Sequence, residues 1–136
     1  MCQAIRFSIN RHTIIFSYHD PNPCLPLLTT SGHIKIIPWG RVDGSGPPPY
    51  PPGKTAILNE VKSKWKHFQP RSVRIGCEAF LMRDSSGQES WHEIKTGYIA
   101  GVVATAFDDH RAYILMRQRE LIDPPGHPEW PIYVQA

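Results

Sequence analysis

Residues 73–116 read VRIGCEAFLMRDSSGQESWHEIKTGYIAGVVATAFDDHRAYILM, and this stretch decides the fold of the chain. It contains four short runs rich in β-branched and aromatic residues, at 73–82, 91–94, 98–106 and 113–116, and each run predicts a strand. The polar turn segments Asp-Ser-Ser-Gly at 84–87 and Lys-Thr-Gly at 95–97 join consecutive runs. Short connections of this kind indicate strands that pair with antiparallel neighbours.

The residues before this stretch add a hairpin, one further strand and a helix. Alternation at 5–9, a turn at Asn10 and Arg11, and a β-prone run at 13–16 predict the hairpin, and HIKIIPW at 33–39 predicts the strand, whereas 20–26 is predicted to be an irregular connection. Apolar residues recur at helical spacing over 54–68, where Thr55 is a suitable cap and Pro70 ends the pattern. The predicted fold class is α+β, a mostly antiparallel β sheet or open barrel with one principal helix.

The composition indicates a single domain whose secondary-structure elements are short and interrupted by proline and glycine. The chain has 136 residues, of which 14 are proline and 10 are glycine, and this content argues against a helical bundle or a coiled coil. We therefore predict a single domain over 1–136. It has a proline-rich loop at 44–53 and a proline-rich tail at 123–136 that docks Trp130 against the body.

The sequence also predicts a compartment. No apolar run approaches the roughly 18–20 residues of a membrane span, and no secretory leader follows Met1. Three cysteines form no CxxC pair and indicate neither a disulfide framework nor a zinc site. We expect a cytoplasmic, soluble monomer that contacts no membrane and carries no metal or cofactor.

The positive charge is concentrated in one segment. The net charge is +3, but eight basic residues against two acidic ones give 35–74 a local charge of +6, which leaves −3 for the rest of the chain. A basic segment on an otherwise acidic chain indicates a polyanionic partner, nucleic acid first. The alternative is a solvated, lysine-rich helix face.

Cys2 is the residue with the most distinctive potential chemistry. Removal of Met1 is favoured by a small second residue, and it would leave a cysteine with both a free α-amine and a thiol. The unperturbed pKa values, about 8 for the amine and about 8.5 for the thiol, leave a reactive fraction of each near neutrality. Such a pair condenses with an aldehyde to form a thiazolidine ring. The alternative is that position 2 merely tolerates a small residue.

Several segments resemble one known family. The opening MCQAIRF resembles the MCGRF opening of the SRAP (SOS-response-associated peptidase) domain, and HIKIIPWG at 33–40 resembles a strand of that family that ends in Trp-Gly. Asn59 and Glu60 stand where the family has an Asn-Ala-Arg-x-Glu element before a helix. RSVRIGCEAFLMRDSSG at 71–87 falls where the family has Arg-Arg-Cys, a Gly-Phe-Tyr-Glu-Trp-like strand and a polar turn.

The resemblance implies a role in the DNA damage response. SRAP proteins bind single-stranded DNA that contains an abasic site, and their N-terminal cysteine bonds to the ring-opened sugar aldehyde. Carried over to this chain, Cys2 is the nucleophile and Asn59 positions the sugar. The implied DNA-binding residues are Arg6, Trp39 as a stacking surface, Arg41, Lys62, Lys66, Arg71 and Arg74.

The chain also departs from the family pattern. Gln3 replaces a glycine, and two extra residues separate Cys2 from Arg6. The family's catalytic glutamate aligns near 81–82, so Glu78 or Glu60 would have to substitute, and His110 is the best candidate for an acid/base role.

Two alternative functions therefore stay open beside Cys2-dependent crosslinking. One is a non-catalytic β-rich binding module for protein or nucleic acid, and the other is a cysteine-dependent autoprocessing or peptidase activity.

Overall fold

The computed structural model describes residues 1–41, 50–95, 97–106 and 109–134. These residues form eleven strands, one α-helix, α1 (Leu58–Lys64), and a 3₁₀ helix at Lys66–Phe68. The strands are β1 (Cys2–Ile9), β2 (His12–Ser17), β3 (Cys24–Leu28), β4 (Ile34–Pro38), β5 (Thr55–Ile57), β6 (Arg71–Gly76), β7 (Ala79–Arg83), β8 (Glu89–Glu93), β9 (Tyr98–Ala106), β10 (Asp109–Gln118) and β11 (Glu129–Pro131).

The strands assemble into two sheets. The four-stranded sheet has the order β2-β1-β7-β8, and the seven-stranded sheet has the order β11-β10-β9-β6-β3-β4, with β5 paired beside β10. Strand pairing is antiparallel throughout the named strands except between β5 and β10, which run parallel. The prediction of an α+β, mostly antiparallel sheet fold is confirmed, and the sheets stay open.

The main core lies between the two sheets. Ile5 and Phe80 project from the four-stranded sheet towards Leu25, Ile75 and apolar residues of β9, β10 and β11. Trp130, which the sequence predicts to dock, belongs to this core and is buried. A second cluster covers the other face of the seven-stranded sheet, where Trp65 meets Tyr113 edge to face at a ring-centroid distance of 4.9 Å.

The predicted helix over 54–68 is wrong in its extent. Thr55–Ile57 form β5, because these residues pair with Ile114–Met116 of β10, and the helix begins only at Leu58. Ile57 occupies the cap position without a side-chain cap bond, so Thr55 does not cap the helix. The apolar spacing was still informative, since Leu58, Val61, Trp65 and Phe68 all pack on the second cluster.

One predicted strand and one predicted connection also need correction. The run at 73–82 is not one strand, because the chain crosses between the sheets at Cys77 and Glu78. There the Cys77 N–H donates to Gly97 in one direction and the Glu78 N–H donates to Arg6 in the other. Part of the predicted irregular connection at 20–26 belongs to β3, in which Pro26 stands opposite Ile36.

Two further observations concern the remaining predictions. Residues 42–49 lie outside the described part of the chain, so most of the proline-rich loop predicted at 44–53 does too. No helix among the described residues is long and apolar enough to cross a bilayer.

Candidate functional site

A β-bulge determines where the Cys2 side chain points. In the pairing of β1 with β7, Cys2 lies opposite Met82 and Ala4 lies opposite Leu81, so Gln3 is one extra residue in β1. Without this extra residue, Cys2 would lie on the same face of β1 as Ala4 and opposite to Ile5, because side chains alternate along a strand. The bulge turns Cys2 inward, to the face that also carries Ile5 and Phe7.

The Cys2 thiol is enclosed by the main core. Cys2 has 0% exposed surface, and its Sγ lies 3.7 Å from the Ala4 carbonyl oxygen as a weak donor. Burial raises the pKa of the Cys2 thiol to about 12, although the nearby Lys54 charge lowers it in part. With Met1 in place the thiol is therefore protonated at neutral pH and is not a nucleophile in this conformation.

A polar network lies beside Cys2 at the bulge. The Gln3 carbonyl oxygen Oε1 accepts a hydrogen bond from Lys54 Nζ at 3.0 Å and lies 3.0 Å from His19 Nε2. Lys54 is only 8% exposed, and its Nζ stands 5.1 Å from the centre of the Tyr18 ring. Burial is the main cause that lowers the pKa of the Lys54 amine.

Met1 extends the first strand by one residue. Its amine donates to the Arg83 carbonyl at 2.6 Å, and its own carbonyl accepts the Arg83 N–H at 2.9 Å. Burial first, and then the positive charge of Lys54, lowers the pKa of the Met1 amine. The start of β1 therefore holds two amines of lowered pKa close to one thiol.

The other predicted catalytic residues do not gather around Cys2. Glu78 is exposed beside Arg6, four residues along β1 and therefore about 13 Å from Cys2. Asn59 is exposed on α1, where its carbonyl accepts a hydrogen bond from Ser63 Oγ. The His110 Nδ1 lies 2.9 Å from Thr105 Oγ1. The residue opposite Cys2 is Met82, which supplies no carboxylate.

A groove of about 860 Å³ brings two of the predicted DNA-binding residues together. Strands β3 and β6 pair only at Leu27–Ile75 and Leu28–Arg74, so the hairpin of β3 and β4 separates from the first half of β6. The exposed cations Lys35, Arg71 and Arg74 line the gap, together with the hydroxyls of Thr29, Thr30 and Ser72. Its apolar lining is Leu27, Leu28, Ile37, Val73, Ala100, Val103, Leu115 and Val134.

The groove is strongly cationic. Its lining contains no aspartate or glutamate. None of the three cationic side chains forms a hydrogen bond or an ion pair with any residue that the structure describes.

The remaining predicted DNA-binding residues lie elsewhere. Trp39 is 0% exposed, and its indole N–H donates to the Lys54 carbonyl at 2.8 Å, so its ring offers no stacking surface. Arg6 pairs with Glu93 at 3.2 Å on the four-stranded sheet. Arg41 is half-buried, and its carbonyl accepts the Tyr18 hydroxyl at 2.7 Å. Lys62 and Lys66 are exposed on and after α1.

The sequence did not indicate that Lys35 lines the groove, or that Gln3 and Lys54 are buried in contact with each other. Lys35 alternates with Ile34 and Ile36 in a predicted strand, which is a usable signal for an outward cation beside the groove. No comparable signal marks Gln3 or Lys54, because their burial depends on the bulge and on the contact between distant segments. No group of three or more metal-ligating side chains occurs in the described ranges.

Comparison of the chain with protein-family models, curated proteins and solved structures finds no significant match. The resemblance to SRAP domains therefore rests on the quoted residues alone.

Proposed function

We propose that the protein binds single-stranded DNA, with the groove between the β3–β4 hairpin and β6 as the binding surface. The observation that carries this proposal is that Lys35, Arg71 and Arg74 line one groove without a carboxylate. Cations that form no ion pair with a described residue are available to neutralise phosphates, which dominate nucleic-acid affinity. The apolar lining favours a single strand over a duplex, since a single strand can turn its bases towards apolar surface.

Fluorescence anisotropy with a labelled single-stranded oligonucleotide tests this proposal. The double variant Arg71→Gln/Arg74→Gln should bind at least about tenfold more weakly, since each lost phosphate contact lowers affinity for every sequence. The matched control is Lys62→Gln/Lys66→Gln, which removes the same charge from an exposed surface outside the groove. Equal losses in both variants, or an unchanged affinity in the groove variant, would refute the groove as the binding surface.

Covalent trapping of abasic-site aldehydes through Cys2 is a second candidate. It is favoured by the place of Cys2 at the start of β1, where the Lys54 amine, whose pKa burial lowers, lies beside the Cys2 thiol. After removal of Met1, the Cys2 amine would condense with the aldehyde to an imine and release water. The thiol would then add across the C=N bond, with its proton passing to nitrogen, to close a thiazolidine.

This second candidate is tested with single-stranded DNA that carries an abasic site. A Cys2-dependent shifted band on a denaturing gel is the expected result, with Cys2→Ala as control and intact mass to establish whether Met1 is absent. Absence of the band from protein that lacks Met1, or its persistence in Cys2→Ala, excludes the covalent step. Salt-sensitive binding without a band leaves a non-catalytic binding module.

A further inference from the structure

Lys54 is a buried lysine with an unusual set of partners. Its Nζ has one hydrogen-bond acceptor among the described residues, Gln3 Oε1 at 3.0 Å, and it faces the Tyr18 ring. No described carboxylate forms an ion pair with it. Its backbone is fixed, since its carbonyl accepts the Trp39 indole N–H at 2.8 Å and the Ile114 N–H at 3.2 Å.

This environment favours the neutral amine over the ammonium. Burying an ammonium without a carboxylate is unfavourable, and a single amide oxygen and a ring face compensate only in part. A lysine in such a site loses its proton more easily than an exposed lysine, and burial accordingly lowers its pKa. A neutral lysine amine is the form that attacks carbonyl carbon.

We propose that Lys54 is a reactive amine that condenses with small aldehydes beside Cys2. The Nζ lone pair adds to the carbonyl carbon, and loss of one water from the resulting carbinolamine gives an imine. The step needs no oxidant or reductant. Because Lys54 is only 8% exposed, an aldehyde that reaches its Nζ has to be small.

The surrounding charges are mixed. The Met1 amine and Arg83 oppose protonation of Lys54, whereas Glu89 and an ionised Cys2 thiol would favour it. His19 shares the Gln3 acceptor. Lys54 is not part of the groove lining, so the inference does not rest on DNA binding.

Reductive trapping tests the proposal on the folded full chain. The protein is incubated at pH 7 with glycolaldehyde and cyanoborohydride for short times, and peptide mapping follows the modification of each amine. Lys54 should be modified severalfold faster than Lys62, Lys64 and Lys66, because burial leaves a larger fraction of its amine neutral at pH 7. These three exposed lysines are internal controls in the same sample.

Two variants sharpen the test. Lys54→Arg keeps the positive charge but cannot form the imine, so the fast adduct should disappear while the slow adducts remain. Arg71→Gln/Arg74→Gln should keep the fast adduct, which separates this site from the groove. If Lys54 in the wild-type chain reacts no faster than the exposed lysines, the proposal is wrong, whatever the stability of Lys54→Arg.

Discussion

The three cysteines differ in how far their thiols are buried. Cys2 and Cys77 are buried, and burial raises the pKa of both thiols. Cys24 is only half-buried, although burial and Asp20 also raise the pKa of its thiol. Accessibility therefore separates Cys24 from the other two.

We predict one fast and two slow thiols towards an aromatic disulfide reagent at pH 7.5. Cys24→Ser should remove the fast phase, whereas Cys2→Ser should leave it unchanged. In urea all three thiols should react at similar rates, because unfolding removes the protection. If Cys2→Ser removes the fast phase instead, the Cys2 thiol is accessible to solvent and the prediction is wrong.

Gly101 is required by close packing rather than by backbone conformation. A Cβ at this position would collide with the Ile75 side chain and lie 3.0 Å from the Tyr113 carbonyl oxygen. We predict that Gly101→Ala lowers the free energy of unfolding by about 1–3 kcal/mol, as other overpacked cores do. Urea denaturation measures the change.

Gly76→Ala is the matched control for that substitution. A Cβ at Gly76 meets its nearest atoms, in Ile34 and Pro26, only at 3.8 Å. Its effect should be well below that of Gly101→Ala, and equal losses in the two variants would contradict the packing explanation.

At the scale of elements, a buried histidine, His127, packs just before β11 against the rings of Trp130 and His92. His127 is 4% exposed, and its Nδ1 has no hydrogen-bond partner among the described residues. Its ring lies 5.2 Å from Trp130 and 6.1 Å from His92. Burial first, and then the N-terminal amine, lowers the pKa of His127, and burial also lowers that of His92.

This lowered pKa predicts the direction of a pH effect. The fold favours the neutral rings, so their contribution is complete above the unfolded pKa of about 6.5 and is lost as pH falls below it. Urea denaturation at pH 7.5 and 5.0 should show a smaller pH-dependent loss in His127→Gln than in the wild-type chain. Exposed His12→Gln is the control, and it should behave like the wild-type chain.

Local sequence patterns predicted some secondary-structure elements correctly and the extent of the helix incorrectly. The hairpin of β1 and β2 and the strands β8 and β9 follow directly from alternation and turn residues. The helix was overestimated because Thr55–Ile57 satisfy an apolar helical spacing and a strand equally well. Only their pairing with β10 decides between the two.

For the whole molecule, the charge distribution predicts the salt dependence of DNA binding. A single strand releases about 0.7 counterions per neutralised phosphate, so three groove cations predict a slope of log K against log salt of about −2. In Arg71→Gln/Arg74→Gln the slope should weaken by about 1.4. Anisotropy titrations at several salt concentrations measure both slopes, and identical slopes would argue against phosphate contacts by these two residues.

The sequence by itself determined the fold class, the location of the basic segment and the reactions that the amine and thiol of Cys2 could undergo. These properties depend on local alternation, turn residues and the identity of side chains. The sequence did not determine which residues come into contact. Alternation predicts which side chains share a face of a strand, but it does not predict the bulge at Gln3, which moves Cys2 to the other face. Only the tertiary structure buried Cys2 and Trp39, placed Lys54 beside the thiol, and separated Arg71 and Arg74 from both. Burial and proximity arise from contacts between distant segments, and no local pattern records them.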